Sequence, residues 1–538
     1  MSEFFYRTEE IRIDEISDYY VETQQDRELI NELKARNPIV LVGSRGVGKS
    51  FLFRMAQKEL LDEFPTNKVL PVYITFRRSS LIHTKNTKQF QSWMMARICS
   101  EVLRALSKLG LVTLLPTSLS VLAGGTTGVS IEKSKIEHIT EAFEESWRAP
   151  GEEIDIEGLP TTDDFLDAIE DICSTFKISR FVIFIDEAAH VLLPEQQRQF
   201  FTLFRDLRSP FLTCNAAVYP GVTVYGDTFQ PIHDATIRPL YRDIQDDKYV
   251  ASMKEIVTKQ ADDNSTLLKN IAQRGQNFAL LAYASSGNPR HLLKTVMQAG
   301  NLTGDAVNNV IREYYRTDVW SEHSGLASKY SGHRALIDWG RKFLESEVLP
   351  ELHRKNVHYL SEDKKTTTYF WMHRDIPQPI KESLRLLEYT GIVSEQASGI
   401  KATRSEIGTR YAVNLGCLLA LETTPTSTGF ILAKSLTPKR MSEYGVNYKF
   451  YENLLNELPK FTEPNMTTVL IEQLERPITV LDLTPWQRER LESIGISTVG
   501  EILKSTESKL KEAHYIGEIR ARRMRNAAIS SVYEYLSG

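Results

Sequence analysis

Residues Pro38 to Ala56 read PIVLVGSRGVGKSFLFRMA, and this stretch decides the fold. Residues 39–42, IVLV, form a short apolar run suited to a buried strand, and SFLFRMAQKELLDEF from Ser50 onward carries helical apolar spacing. Between them, Gly43, Ser44, Arg45, Gly46, Val47, Gly48, Lys49 and Ser50 satisfy the pattern G-x-x-x-x-G-K-[ST]. In that pattern the glycines let backbone N–H groups turn inward around phosphates, the lysine reaches the β/γ-phosphates and the serine hydroxyl holds Mg²⁺. The helix that follows presents its N-terminus at the loop, where anions are favoured. ATP and Mg²⁺ are the expected ligands, with Ser50 as a metal ligand.

A phosphate loop needs a second site for metal and water. RFVIFIDEAAHV supplies it: Phe181 to Ile185 are apolar and mostly β-branched or aromatic, and they end in Asp186 and Glu187. Asp186 is expected to act on Mg²⁺, mostly through water, and Glu187 to polarise the attacking water as general base. KVLPVYITF (68–76) reads as another strand and residues 90–106 as a helix. PEQQRQFFTLFRDLR then reads as a helix, and FLTCNAAVYPG from Phe211 as a further strand. Alternating strands and helices predict a parallel α/β sheet of the P-loop NTPase class, with nucleotide at the strand C-termini.

The remaining composition narrows the field. The chain has 538 residues, 41% hydrophobic and 25% charged, an ordinary balance for a folded multidomain protein. Its net charge of −5 means that any nucleic acid must be met by local basic surfaces. The four cysteines, Cys99, Cys173, Cys214 and Cys417, form no CxxC pair and follow no secretory leader, so a cytoplasmic location is expected and no zinc site is visible. LGLVTLLPTSLSVLAGGTTGVS from Leu109 is broken by Pro116 and too polar to span a membrane; it reads as an inserted hairpin or loop.

The order of glycine loop, DE-terminated strand, further strand and then SSGNPRHLLK from Ser285 resembles the AAA+ ATPases. More narrowly, it resembles the origin-recognition (ORC/CDC-type) initiators and loaders and their bacterial relatives, which include transposition regulators. The resemblance covers about Tyr19 to Met297. It implies that Arg290, in Gly287-Asn288-Pro289-Arg290, is the lid arginine called sensor 2, which contacts the γ-phosphate with the catalytic set Lys49, Asp186 and Glu187. It also implies that YYVETQQDRELINELKARNP is the adenine-side segment. Two departures stand out. VTVYGDTFQPIH contains no arginine to act in trans, with Arg205 and Arg208 poorer candidates, and the polar sensor after the fourth strand is either Asn215 or Tyr219.

Beyond the lid, residues 376–420 contain a helix with Ile380, Leu384 and Leu387 on one face, a stop at Gly391, and IVSE pairing across a polar loop with RYAVNL. Helix plus two-stranded wing is a winged-helix signature, with Lys381, Arg385, Lys401, Arg404 and Arg410 as cations for DNA. From Arg476 the tail resembles the RNA polymerase alpha C-terminal domain and other helix-hairpin-helix modules, with Lys511, Gly517, Arg520, Arg522, Arg523 and Arg525 expected at phosphate. The expected domains are an ATPase core (1–250, insertion about 108–150), a helical lid (251–330), a winged helix (331–422), a linker or helical segment (423–475) and an all-α helix-hairpin-helix domain (476–538).

The leading expectation is a slow ATPase that binds DNA and uses nucleotide state to control assembly or DNA engagement, with a homo-oligomer or effector protein as further partner and no membrane. The alternative is a STAND-like signalling ATPase of a mobile-element or antiphage defence system, whose C-terminal domains bind a protein trigger or effector. A third is a DNA-binding regulator with little turnover.

Overall fold

The computed structural model describes residues 4–77, 88–111, 117–124, 134–146, 153–188, 194–226, 228–261, 266–329, 333–403, 405–457, 474–481 and 483–536. These fall into two compact units. The first comprises residues 1–243, 251–268 and 288–293, and the second the remainder.

In unit 1, helix α1 (Gln24–Leu33) precedes β1 (Ile39–Val42), and the glycine loop leads into α2 (Lys49–Asn67) and β2 (Val69–Thr75). Helices α3 (Lys88–Lys108), α4 (Thr117–Leu122), α5 (Lys135–Glu144) and α6 (Thr162–Phe176) lead to β3 (Arg180–Asp186). Helix α7 (Pro194–Asp206), β4 (Leu212–Val218) and β5 (Thr236–Pro239) complete the sheet. Its five strands are parallel in the order β2-β3-β4-β1-β5. Strand β3 is buried throughout, and its side chains alternate between two cores: Phe181, Ile183 and Ile185 pack with Trp93, Phe165 and Phe200, whereas Val182 and Phe184 pack with Leu52 and Phe53. A strand buried on both faces reads as the continuous apolar run seen in the sequence.

The stretch from Leu109 departs from the expected hairpin or loop. Its described part contains α4, which packs on α6 and buries Leu119 and Leu122 completely. Two leucines three apart lie on one helical face, and their burial outweighs the Ser and Thr content that suggested a loop.

The residues read as a lid are helical through most of their described length. Within them, α8 (Pro289–Ala299) has its first turn in unit 1. Unit 2 contains α9 (Arg334–Phe343), β6 (Tyr369–His373), α10 (Gln378–Tyr389), β7 (Val393–Lys401) and β8 (Ile407–Val413). Pro379 sits in the first turn of α10, where its missing N–H costs nothing, and the helix ends at Gly391, whose φ of 74° only glycine adopts freely. β7 and β8 form the expected antiparallel hairpin, but the sheet has four strands in the order β7-β8-β6-β9.

The fourth strand, β9 (Ser442–Tyr444), and helix α11 (Pro425–Lys434) come from the segment read as linker, of which PKFTEPN lies outside the described residues. The tail holds α12 (Pro485–Glu492), α13 (Val499–Lys504) and α14 (Glu518–Leu536) around its own core of Leu491, Ile496, Val499, Ile502, Leu510 and Met524.

Candidate nucleotide site and basic surface

The glycine loop connects the C-terminal end of β1 to the N-terminus of α2. Gly48 is the N-cap with φ 111°, and Gly46 has φ 85°; a Cβ at Gly46 would meet Asn288 Oδ1 at 2.8 Å. Both positions therefore require glycine, for backbone conformation and for close approach. Lys49 is buried, its Nζ donating to Gly43 O (2.5 Å) and Ser44 O (3.2 Å) and lying 4.2 Å from the Tyr219 ring centroid. Burial pulls the Lys49 ammonium down to about 7; Asp186 and Glu187 oppose the shift, while Arg290 and Arg45 reinforce it. Lys49, Asp186, Glu187 and Arg290 thus share one electrostatic neighbourhood. Ser50 lies half-buried in the first turn of α2.

At the end of β3, Asp186 is buried and engaged on both oxygens. Oδ1 accepts from the Glu187 backbone N–H (2.9 Å) and Oδ2 from the Tyr73 hydroxyl (2.6 Å). β2 and β3 pair in parallel with Tyr73 opposite Phe184, which puts the phenol within reach of the next carboxylate along the strand. Glu187 accepts from Thr75 Oγ1 at 3.4 Å and has φ 55°, a left-handed conformation for a residue with a β-carbon. Burial, and then the Asp186 charge, raise the Glu187 carboxyl above the usual carboxylate range. A raised pKa next to a fixed carboxylate suits a group that must accept a proton.

The GNPR turn brings α8 to the loop. Asn288 caps that helix, its Oδ1 accepting from the Arg290 and His291 backbone N–H groups, while its Nδ2 donates to Arg45 O at 2.8 Å. Arg290 Nε donates to Tyr6 O at 3.2 Å.

The two sensor candidates separate cleanly. Asn215 is fully buried in the middle of β4, where it donates to Leu33 O at the end of α1 and accepts from Ile39 N–H on β1, so both ends of its amide are taken up away from the loop; Tyr219, just past the strand's end, is the one beside Lys49. Arg205 is bound to Asp206 and to Thr228 O. Arg242 escaped the sequence reading: its Nη1 donates to Val47 O at 2.7 Å, and it faces buried Asp26 at 3.9 Å. Its only sequence signal was a position just after β5, next to the loop strand. Tyr73 and Thr75 were missed for a similar reason, because a strand run identifies burial but not the register that aims one side chain at a neighbour.

Residues 4–112 match the ORC-CDC6-like family. The matched span is about a fifth of the chain and holds β1, the glycine loop, α2, β2 and α3; Asp186, Glu187 and Arg290 lie outside this ORC-CDC6-like segment. No curated protein matches the chain. Among solved structures, the Aeropyrum pernix Orc1 protein in complex with DNA aligns over 78% of this chain and 95% of that one, with 14% identity and a TM-score of 0.34, too loose a likeness to carry an argument. No described helix is long and apolar enough to cross a membrane.

Outside the ORC-CDC6-like segment, the cations expected at DNA have different surroundings. On α10, Lys381 is half-buried and Arg385 pairs with Glu382 at 2.9 Å. Lys401 is exposed at the end of β7, Arg404 lies outside the described residues, and Arg410 is held against the sheet by Pro438 O and the Tyr369 ring. In the tail, Lys511 and Arg523 are exposed, Arg522 pairs with Glu518 at 3.2 Å, and Arg525 is half-buried. Arg520 lies 5.0 Å from the Trp486 ring centroid and donates to Tyr515 O at 2.7 Å. Gly517 precedes α14 and its carbonyl accepts from Ala521 N–H, but the left-handed residue of the hairpin is Tyr515, with φ 64°.

Proposed function

We propose that this chain is an ORC-type AAA+ ATPase that binds MgATP at the glycine loop, hydrolyses it slowly, and uses nucleotide state to control assembly or DNA engagement by its C-terminal half. The observation that carries this reading is the meeting of Lys49, the Asp186–Glu187 pair and Arg290, from three distant segments, around one loop whose glycines are required by its backbone.

The residues present fit the nucleotide and metal. Backbone N–H groups at the start of α2 and the Lys49 ammonium suit phosphate, and Ser50 and Asp186 offer oxygen donors for Mg²⁺. When bound, Mg²⁺ supplies neutralisation of phosphate charge. Lys49 would leave the Gly43 and Ser44 carbonyls for phosphate oxygens. Tyr73 and the Glu187 N–H hold the Asp186 carboxylate in one orientation. Glu187, steadied by Thr75, would take a proton from the attacking water. Arg290, carried on α8, would report the γ-phosphate to the lid. The winged-helix and helix-hairpin-helix readings of residues 331–422 and 476–538, and the other boundaries given above, belong to this proposal and are supported by the helix-and-hairpin order in the one and the separate helical core of the other.

A second reading, in which the tail docks a protein trigger, draws on Tyr515 and Ile519, which are 73% and 55% exposed beside the hairpin. The test of the ATPase is Glu187→Gln, which keeps side-chain shape and removes the base. ATP affinity should hold while single-turnover hydrolysis falls about 100-fold or more. Hydrolysis at the parent rate would overturn the assignment.

A further inference from the structure

Glycine makes the end of the loop possible without fixing it. The peptide joining Val47 to Gly48 is trans, so its C=O and N–H point in opposite directions, and it can turn over if Val47 ψ and Gly48 φ rotate in opposite senses. A residue with a β-carbon would resist one of the two states, but glycine accepts both signs of φ. Something outside the loop must choose. Gly48 is also the N-cap of α2 and brings no side-chain oxygen to the first turn, so the N–H groups there depend on backbone orientation to face a ligand.

The segment after β5 runs beside this peptide. Leu240 N–H donates to Val42 O at 2.7 Å, and a Cβ at Gly43 would meet Leu240 O at 3.2 Å, which places the segment against the start of the loop. Two residues on, it reaches the loop's other end. Arg242 Nη1 donates to Val47 O at 2.7 Å, and a Cβ at Gly48 would lie 3.9 Å from both Nη1 and Nη2. The guanidinium thus holds the Val47 carbonyl on its own side and leaves the Gly48 N–H turned away from it.

Asp26 is the second neighbour, at 3.9 Å, too far for a hydrogen bond. Its Oδ2 already accepts from Thr23 N–H at 3.1 Å and Thr23 Oγ1–H at 2.8 Å, as the cap of α1. Arg242 Nε is buried without a hydrogen-bond partner, so the bond to Val47 O is the one that orients the side chain. Asp26 balances the charge; Val47 O receives the bond.

We propose that Arg242 is a positioning residue of the nucleotide site, which locks the Val47–Gly48 peptide with its carbonyl outward and so presets the Gly48 N–H for phosphate before any ligand binds. This rests on the nucleotide reading above and goes beyond it, because it assigns the shape of the loop to a residue outside the glycine pattern.

Inorganic tripolyphosphate separates the loop from the rest of the nucleotide, since it carries phosphates and no base. The full chain is titrated calorimetrically with ATP and with tripolyphosphate, each with Mg²⁺, as parent, Arg242→Met, Asp26→Asn and the double variant. Asp26→Asn keeps an oxygen for Thr23 and leaves the bond to Val47 O in place. The double variant removes both charges, so the measurement survives if Arg242→Met alone fails to fold around an unpaired carboxylate. Arg242→Met and the double variant should lose the same factor, about tenfold or more, for both ligands, while Asp26→Asn stays within about threefold of the parent for tripolyphosphate. A loss confined to ATP would place the role of Arg242 away from the phosphates and overturn the proposal. An equal loss in Asp26→Asn would assign the effect to the charge pair and overturn it too, as would parent affinity in the double variant. Binding of ATP but not tripolyphosphate by the parent would show that the loop is not preset. Binding of neither would overturn the nucleotide reading itself.

Discussion

The charged groups of the glycine-loop site and those of the C-terminal basic surface are held in opposite ways. Around the loop, partners come from far apart in sequence: Tyr73 and Asp186 are separated by 113 positions, Arg242 and Val47 by 195, and Asn288 and Arg45 by 243. On the basic surface they come from within about one turn, with separations of three for Glu382 and Arg385, four for Glu518 and Arg522, and five for Tyr515 and Arg520. Long-range partners exist only when the whole sheet is assembled, so the loop site is set by the fold and is ready before any ligand arrives. Local pairs on an exposed helix contribute little, and they exchange readily for phosphate. On the proposed function, the first arrangement suits chemistry that tolerates little displacement and the second suits adhesion that tolerates more.

The strongest way to break that comparison is Lys49→Ala. Among the described residues no other cation is recorded above the Tyr219 ring, so ATP affinity should fall about 100-fold or more, while DNA affinity without nucleotide stays at the parent value; equilibrium binding of each ligand checks both halves. Nucleotide affinity surviving in this variant would mean the loop is not the phosphate site.

A smaller effect sharpens the contrast through pH. Because the Lys49 ammonium is pulled down to about 7, the free protein loses this proton as pH rises past neutrality, whereas phosphate would hold it in place. ATP binding above pH 7 should therefore take up a proton and weaken by up to about tenfold per pH unit, with little pH dependence from this group below 7. Calorimetric titration in two buffers of different ionisation enthalpy measures the uptake, and a buffer-independent heat at pH 8 would contradict it.

The smallest effect lies in unit 2. Burial, and then Glu395, push the Glu388 carboxyl up to about 7, and its Oε1 accepts from Glu395 N–H at 2.7 Å. The folded state keeps a proton that the unfolded chain releases nearer its ordinary range, so this group's contribution is present at low pH and is lost as pH rises through about 7. Glu388→Gln retains an acceptor without the charge and should stabilise the chain by about 1 kcal/mol at pH 8 with almost no gain at pH 5, read from denaturant unfolding at the two values. An equal gain at both would assign the effect to something other than ionisation.

The same division explains what the sequence made legible. The loop and the β3 carboxylates could be read because backbone geometry and strand burial demand particular residues at fixed spacing. The helix α10 and the β7–β8 hairpin could be read from local periodicity and a glycine stop. What could not be read depends on register and contact order. β9 is three residues long, too short for any period, and exists only because β6 offers an edge. Asn215 and Tyr219 are equally plausible as letters, and only the strand's direction sends one to the α1–β1 side of the sheet and the other to Lys49. The partners of the tail arginines were illegible for the converse reason: helical spacing allowed several pairings, and tertiary packing on Trp486 and α10 chose among them.

The backbone at Glu187 marks where fold and chemistry disagree. A φ of 55° is a conformation that glycine enters freely and that a residue with a β-carbon occupies at a penalty of about 1–2 kcal/mol. The neighbouring contacts hold it there, from Asp186 Oδ1 on its own N–H and from Thr75 on its carboxylate. The residue best for the fold at this position is thus one that could do no proton transfer. The carboxylate that occupies it instead makes the end of β3 a place where a local backbone penalty is carried by a side chain able to accept a proton.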